Sequence, residues 1–417
     1  MRLSPTILLF FLWLFTATNV CAQLTPDVET IEADGPRTGG YPATFTERSP
    51  YSTVGAVTER FRAQLDNPPE DYKLGDETFW VYVPQDYDGS EPYGLIVWIN
   101  AGPTGGPPKH YQPVLDQYKL IWVGADNSGN PRTFWHRAGL ALDGLHNITQ
   151  QYNIDPMRVY TSGISGGGRC ASRIGPTYAD LFAGAFAIIG VDFFKRLPHP
   201  ESTEYTLSFW GAAFNPPGPR ILRRAKRDGR YVLLTGETDG NRIQTLVTYQ
   251  YGYQRAKFAN ITYLEVPEMG HTLPPSDWFA KGIDALDAPL EEVRERRETE
   301  AGRAYRKAMD TLRRSPKHGV IALQNLLRDF GDTTFAPQAR TAIEEAPIHP
   351  PAVSEPDTEE PATPINKARE QLVLAKNYLA AGRTELARTL LNTLVEHYPE
   401  SEEAEKARVL LEDMAAQ

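Results

Sequence analysis

The stretch VYTSGISGGGRCASRI, residues 159–174, decides the fold of this chain. It begins as an apolar, strand-like run at 159–163, passes through Gly-Ile-Ser-Gly-Gly, and continues as a helix-compatible segment at 168–174. A serine between two glycines at a sharp turn from strand to helix is typical of a strained elbow that exposes the hydroxyl. Glycines on both sides relieve the collisions that side chains would make there. We therefore predict that Ser165 is a nucleophile; a phosphate-binding loop would carry a lysine after its glycines, and none follows here.

The sequence around the elbow predicts an α/β fold with a mostly parallel sheet flanked by helices. Short apolar runs alternate with amphipathic or turn-rich stretches, which is the pattern of such a sheet. The run LIVWI at 95–99 has no polar alternation, which indicates a strand buried on both faces. The predicted strands span residues 78–83, 94–100, 120–124, 159–163, 185–190, 231–235 and 261–266.

One histidine satisfies the chain order of a hydrolase elbow, in which the nucleophile precedes the acid and the acid precedes the base. His271 follows the strand at 261–266 in a glycine-flanked loop, whereas the other histidines precede the late strands or lie in the C-terminal region. The acid should follow the strand at 231–235, where Glu237 and Asp239 are both candidates. We prefer Asp239 for its spacing from the strand, and Glu237 stays open.

The oxyanion of an acyl-transfer reaction needs two N–H donors, one directly after the nucleophile and one from the loop after strand 94–100. Gly166 is the first candidate. The second is Ala101 or Gly102, because Pro103 has no N–H group.

An aromatic cluster follows the strand at 120–124 and emerges at the same edge of the sheet. We predict that Trp135 and His136 form a substrate-contacting wall. Packing beneath a long loop is the alternative interpretation.

Residues from about 70 to 290 resemble the α/β-hydrolase superfamily on the strength of the elbow and the histidine that follows it. The segment IDPMRVY at 154–160, leading into the elbow, resembles the polyhydroxyalkanoate-depolymerase and feruloyl-esterase branch. The resemblance implies a secreted esterase acting on polymer-linked or aryl esters, with Ser165, Asp239 and His271 as its triad. The chain departs from the branch at Asn100-Ala101, where His-Gly is usual, and in lacking its disulfides.

The chain divides by composition into several segments. Residues 1–22 combine Arg2, an apolar stretch and small residues before Gln23, which is typical of a cleaved signal peptide and predicts a secreted or periplasmic protein without a membrane span. A leader at 23–70 precedes the catalytic domain at 71–290. Two helical repeats at 291–345 and 365–417 flank a Pro/Glu-rich linker at 346–364.

The repeats are recognised by a constant offset of 68 between LLRDFG at 326–331 and LVEHYP at 394–399. They resemble tetratricopeptide-like hairpins, which implies a possible protein partner. Because the proposed catalytic residues all precede residue 290, we expect a chain ending near Ala288 to fold and keep its activity.

Composition and charge narrow the range of partners, cofactors and activities that this chain is expected to have. The formal net charge is −10, which disfavours a nucleic-acid partner. No zinc-type Cys/His cluster or acidic calcium loop is present in the sequence, so we predict neither metal nor cofactor. An ester hydrolase is favoured; a serine peptidase or acyltransferase on the same fold, and an inactive scaffold whose repeats bind a protein, remain alternatives.

Overall fold

The computed structural model describes residues 36–199, 209–346, 384–399 and 401–415, together with Leu372 and Ala375. The predicted signal peptide, the start of the leader, and the predicted linker after Ala346 lie outside the described residues. Within the described part, no helix is both long and apolar enough to cross a membrane.

An eight-stranded, mostly parallel sheet forms the centre of the molecule. Its strands are β1 Gly39–Ala43, β2 Phe79–Val83, β3 Tyr93–Ile99, β4 Leu120–Ala125, β5 Ile154–Ile164, β6 Gly184–Ile188, β9 Arg230–Gly236 and β10 Asn260–Val266, while β7 Leu197–Pro198 and β8 Phe209–Trp210 form a separate pair. Within the sheet the strands lie in the order β1-β2-β4-β3-β5-β6-β9-β10. Strands β1 and β2 are antiparallel to their neighbours, and every other pairing in the sheet is parallel. With helices on both faces, this arrangement is the predicted α/β-hydrolase fold, and the fold prediction is confirmed.

Helices cover both faces of the sheet. The helices of the first compact unit are α1 Val54–Arg60, α2 Gln112–Gln117, α3 Phe134–Gln151, α4 Gly166–Thr177, α5 Pro219–Arg227, α6 Arg242–Val247, α7 Ser276–Asp287, α8 Leu290–Arg314, α9 Pro316–Phe330 and α10 Phe335–Glu344. Two further helices, α11 Thr384–His397 and α12 Glu402–Ala415, lie in the second. On β3, Leu95 and Val97 pack in the cluster that contains side chains of α1, α3 and α4, whereas Ile96 and Trp98 pack with α2 and α7. The continuous apolar run in the sequence is therefore explained by burial on both sides.

The leader contributes a strand that its sequence does not indicate. Strand β1, Gly-Gly-Tyr-Pro-Ala, pairs only with β2 at the edge of the sheet, where a proline is tolerated. Farther along, the buried Asp143 carboxylate on α3 accepts hydrogen bonds from the Ser49 N–H (2.8 Å) and the Tyr72 hydroxyl (2.5 Å). The bond from Ser49 holds the leader against α3.

The first compact unit of the chain extends to Ala346, beyond the boundary expected at residue 290. Arg297 on α8, only 2% exposed, donates to Asp228 before β9 (2.8 Å) and to Asp332 after α9 (2.8 Å). Arg294 on the same helix pairs with Asp155 on β5 (2.8 Å). These ion pairs join α8 to β5 and to the residue before β9, and charged residues at helical spacing do not reveal them in the sequence.

The second compact unit, Pro347–Gln417, contains α11 and α12. Leu394, Ala404 and Ala407 are buried there, as are their counterparts 68 residues earlier, Leu326, Ala336 and Ala339. The two copies of the repeat thus bury equivalent side chains.

Candidate active site

The elbow at the end of β5 holds Ser165 in a rare backbone conformation. Its φ of 54° and ψ of −115° fall in a region that L-residues seldom occupy. A β-carbon on Gly167 would lie 1.8 Å from the Ile99 carbonyl oxygen, and one on Gly163 would lie 2.4 Å from that oxygen. Glycine at both positions therefore permits the close approach of β3, β5 and α4.

The loops after β9 and β10 bring the three sequence-predicted triad residues together. His271 Nε2 lies 2.9 Å from Ser165 Oγ, and His271 Nδ1 lies 2.7 Å from Asp239 Oδ1. The distances are those of hydrogen bonds. A proton on Ser165 can therefore pass to Nε2 while the carboxylate holds Nδ1–H.

The Asp239 carboxylate is fully buried, whereas the imidazole is about half exposed, with 49% of the His271 side chain accessible. Asp239 also accepts hydrogen bonds from the Thr235 hydroxyl (3.1 Å) and the Asn241 N–H (3.2 Å). These neutral donors fix the carboxylate without neutralising its charge, which leaves that charge to stabilise an imidazolium.

Glu237, the alternative acid, contacts the backbone of the loop that carries His271 rather than the imidazole itself. Its Oε2 accepts the N–H of Glu268 at 2.9 Å. Glu268 has a φ of 58°, a left-handed conformation that costs energy for a glutamate. The Glu237 carboxylate therefore steadies the turn that leads to His271.

The candidate oxyanion donors differ in their availability. Gly102 N–H is bonded to the Asn100 side-chain oxygen at 3.2 Å. Among the described residues, the N–H groups of Gly166 and Ala101 have no acceptor. The free pair consists of Gly166 and Ala101, and the first N–H groups of α4 also carry the positive end of the helix dipole.

A buried guanidinium beneath these loops was not foreseen from the sequence. Arg137 on α3, 5% exposed, donates from Nη2 to the Asn100 carbonyl and from Nε to the Ser128 carbonyl, both at 2.8 Å. Its Nη1 donates a longer bond, 3.4 Å, to Asn130 Oδ1. Burial lowers the pKa of Arg137, but a guanidinium stays protonated. One cation thus ties the loop after β3 to the loop after β4.

The two residues predicted to contact substrate hold the leader in place. The Trp135 ring packs 6.1 Å from Phe61 and 5.3 Å from Phe134. His136 Nε2 lies 2.7 Å from the Glu70 carbonyl oxygen. Neither has a hydrogen bond or ring contact with the triad among the described residues, so their contact with substrate stays a prediction.

Comparisons with known proteins find solved structures that resemble this chain at low sequence identity. No protein-family model matches the chain, and no curated protein is significantly similar to it in sequence. Among solved structures, a ferulic acid esterase is 14% identical with a TM-score of 0.41, covering 62% of this chain and 99% of that chain. S-formylglutathione hydrolase (FrmB) from Staphylococcus aureus is 12% identical with a TM-score of 0.37, covering 63% and 99%. Est1E from Butyrivibrio proteoclasticus is 12% identical with a TM-score of 0.36, covering 52% and 95%. Likenesses of this degree do not identify an activity.

Proposed function

We propose that this protein is a secreted serine hydrolase that cleaves carboxylic esters through an acyl-enzyme on Ser165. The observation that carries the proposal is the continuous hydrogen-bonded series from Asp239 through His271 to Ser165 on a strained elbow. Nucleophile, base and orienting acid at these distances form the arrangement of triad catalysis. The same geometry argues against an inactive scaffold.

In the acylation step, Ser165 Oγ attacks the ester carbonyl carbon as His271 Nε2 takes the hydroxyl proton. The buried Asp239 carboxylate stabilises the resulting imidazolium. Charge develops on the former carbonyl oxygen, which accepts hydrogen bonds from the N–H groups of Gly166 and Ala101. Collapse of the intermediate breaks the bond to the alcohol, which leaves with the proton from His271.

In the deacylation step, water replaces the alcohol. His271 removes a proton from the water as its oxygen attacks the acyl carbon. The intermediate then collapses: the bond from the acyl carbon to Ser165 Oγ breaks, His271 returns the proton to Oγ, and the carboxylic acid leaves. No atom beyond substrate and water is consumed.

Location, substrate class and the role of the C-terminal helices are further parts of the proposal. The sequence of residues 1–22 supports secretion. The resemblance of segment 154–160 to the depolymerase and feruloyl-esterase branch favours polymer-linked or aryl esters. The two helical repeats, at 291–345 and 365–417, supply a surface for a protein partner, as the repeat pattern predicts.

Turnover of a substrate panel tests the ester assignment. The panel contains p-nitrophenyl esters from acetate to octanoate, methyl ferulate, an acetylated sugar and a peptide p-nitroanilide, each assayed with wild type and Ser165→Ala. We expect at least one ester to be hydrolysed and the substitution to lower kcat by about 10⁴-fold or more with an unchanged melting temperature. If only the peptide p-nitroanilide were cleaved, the protein would be a peptidase rather than an esterase.

A further inference from the structure

Asn130, in the loop between β4 and α3, lies directly against the elbow. A β-carbon on Gly166 would lie 1.9 Å from Asn130 Oδ1, 2.8 Å from Cγ and 3.2 Å from Nδ2. The side-chain amide therefore rests on the α-carbon of Gly166, whose own N–H is a proposed oxyanion donor. Asn130 N–H also donates to the Ala101 carbonyl at 2.9 Å. The residue thus touches both segments that carry the free backbone donors.

Arg137 determines which way the amide faces. A guanidinium has donors only, so the atom that it contacts at 3.4 Å must be the amide oxygen. The Nδ2 group then faces away from Arg137 with two N–H donors. In the described part of the chain Nδ2 has no acceptor, and Asn130 is exposed. An amide donor close to Gly166 therefore has no acceptor within the described residues.

We propose that Asn130 is a further catalytic residue, whose Nδ2–H donates to the oxyanion formed when Ser165 attacks an ester, and that Arg137 is the positioning residue that orients it. The proposal rests on the proposed function, because an oxyanion forms only if Ser165 acylates. It adds a side-chain donor to the two backbone donors.

The surroundings of the amide suit a developing negative charge. Arg137 is buried and forms no ion pair with any acidic side chain in the described residues. Its positive charge therefore acts on the neighbouring loops, and a donor held before the reaction needs no reorganisation as charge develops. The two loops are also in close contact, because a β-carbon on Gly129 would lie 2.8 Å from the Ala101 carbonyl oxygen.

Two substitutions at one position separate donation from structural support. Asn130→Ala removes both the amide donor and the acceptor for Arg137. Asn130→Asp keeps the acceptor and its size, and gives Arg137 a carboxylate, but replaces the donor by a negative charge. If Asn130 serves only to hold the loops, aspartate should restore activity. If it donates to the oxyanion, aspartate should be at least as harmful as alanine.

Asn127→Gly is the matched control. Asn127 lies three residues earlier in the same loop, is exposed, and has a φ of 51°, which glycine adopts without strain. Its side chain has no hydrogen bond among the described residues, so this variant should keep kcat and KM near those of wild type.

The measurements are kcat and KM on the best ester of the panel, together with inhibition by a trifluoromethyl ketone that forms a tetrahedral adduct with serine. We expect Asn130→Ala to lower kcat by about 10²-fold with little change in KM, and to weaken ketone inhibition by a similar factor. We expect Asn130→Asp to lose at least as much. Near-wild-type kcat in Asn130→Ala, or rescue by Asn130→Asp, would overturn the proposal.

Failure of the inference is distinguishable from failure of the proposed function. If Ser165→Ala keeps its activity, the proposed function is wrong whatever Asn130 does. If Ser165→Ala is inactive but Asn130→Ala retains kcat and ketone affinity, the triad stands and Asn130 is not a donor. Melting temperatures identify any variant that fails to fold, and the aspartate variant, which keeps the contact with Arg137, then decides the outcome.

Discussion

The two ends of strand β9 each carry a buried aspartate, and the two are held in opposite ways. Asp228, before the strand, accepts from three guanidinium groups: Arg227 and Arg297 at 2.8 Å, and Arg296 at 3.1 Å. Asp239, after the strand, accepts from the His271 imidazole and from neutral donors. Burial alone would raise the pKa of Asp228, but the charges and hydrogen bonds of Arg227 and Arg297 lower it overall.

The difference separates a carboxylate that cross-links the fold from the carboxylate that we propose as the triad acid. Guanidinium groups stay charged in both the folded and the reacting protein, so Asp228 fixes α8 to the sheet and takes no part in proton transfer. An imidazole can gain and lose a proton, so the charge on Asp239 can be used during turnover. Burial of an acid therefore does not mark a functional site, whereas the chemistry of its partner does.

Deleting helices α8–α10, which supply two partners of Asp228, should have the largest effect on stability. A chain ending at Ala288 lacks α8–α10, which strips Asp228 of Arg296 and Arg297 and uncovers Met157, now packed with Leu290 and Val293. We expect it to lose more than about 5 kcal/mol of unfolding free energy. A chain ending at Ala346 keeps these ion pairs and the packing of Met157, so it should unfold at higher urea than the shorter chain in the same titration.

That expectation differs from the sequence-based one, in which a chain ending near Ala288 folds and stays active. Full stability of the shorter chain would support the predicted domain boundary at residue 290. It would also show that the ion pairs around Asp228 add little to the catalytic unit.

At the catalytic end, Asp239→Asn should lower kcat by about 10⁴-fold, because an amide cannot hold the same imidazole tautomer or stabilise the imidazolium. Glu237→Gln, which weakens only the bond to Glu268, should cost less than about tenfold. Steady-state kinetics on one ester compare the two. Equal losses from both would mean that another residue is the triad acid.

Within the cross-link, Arg297→Met should destabilise the protein by about 3–5 kcal/mol, since Asp228 and Asp332 lose a buried partner. The control is Arg313→Met, which removes an ion pair with Asp310 in which the side chains are 75% and 59% exposed. It should cost less than about 1 kcal/mol. Urea titrations measure both, and kcat/KM of folded Arg297→Met should stay near wild type. A large loss of kcat/KM in folded Arg297→Met would contradict this account, in which the ion pairs at Asp228 do not affect turnover.

The sequence singles out the three side chains that meet near Asp239, but not the ion pairs that meet at Asp228. Ser165 sits in a local motif whose glycines and flanking strand specify one geometry, and chain order then leaves His271 as the base. The preference for Asp239 over Glu237 rested on spacing alone, and the hydrogen bonds now give the two acids different partners.

The features that could not be predicted depend on contacts between segments that are far apart in the sequence. Asn130 meets Gly166 because the loop after β4 folds onto the elbow, and nothing in its own neighbourhood signals that contact. Arg297 lies among charges at helical spacing, a pattern that is typical of a solvated face. Strand β1 forms because an edge of the sheet is available to it, despite a weak strand sequence of glycines and proline.

Covalent labelling of Ser165 tests the central claim most directly. Wild-type protein, Ser165→Ala and His271→Ala are incubated with a fluorophosphonate, digested, and mapped by mass spectrometry. The account expects a single adduct on Ser165 in wild type, none in Ser165→Ala, and strongly slowed labelling in His271→Ala, because the imidazole must accept the serine proton. Labelling of another residue, or undiminished labelling without Ser165, would contradict it.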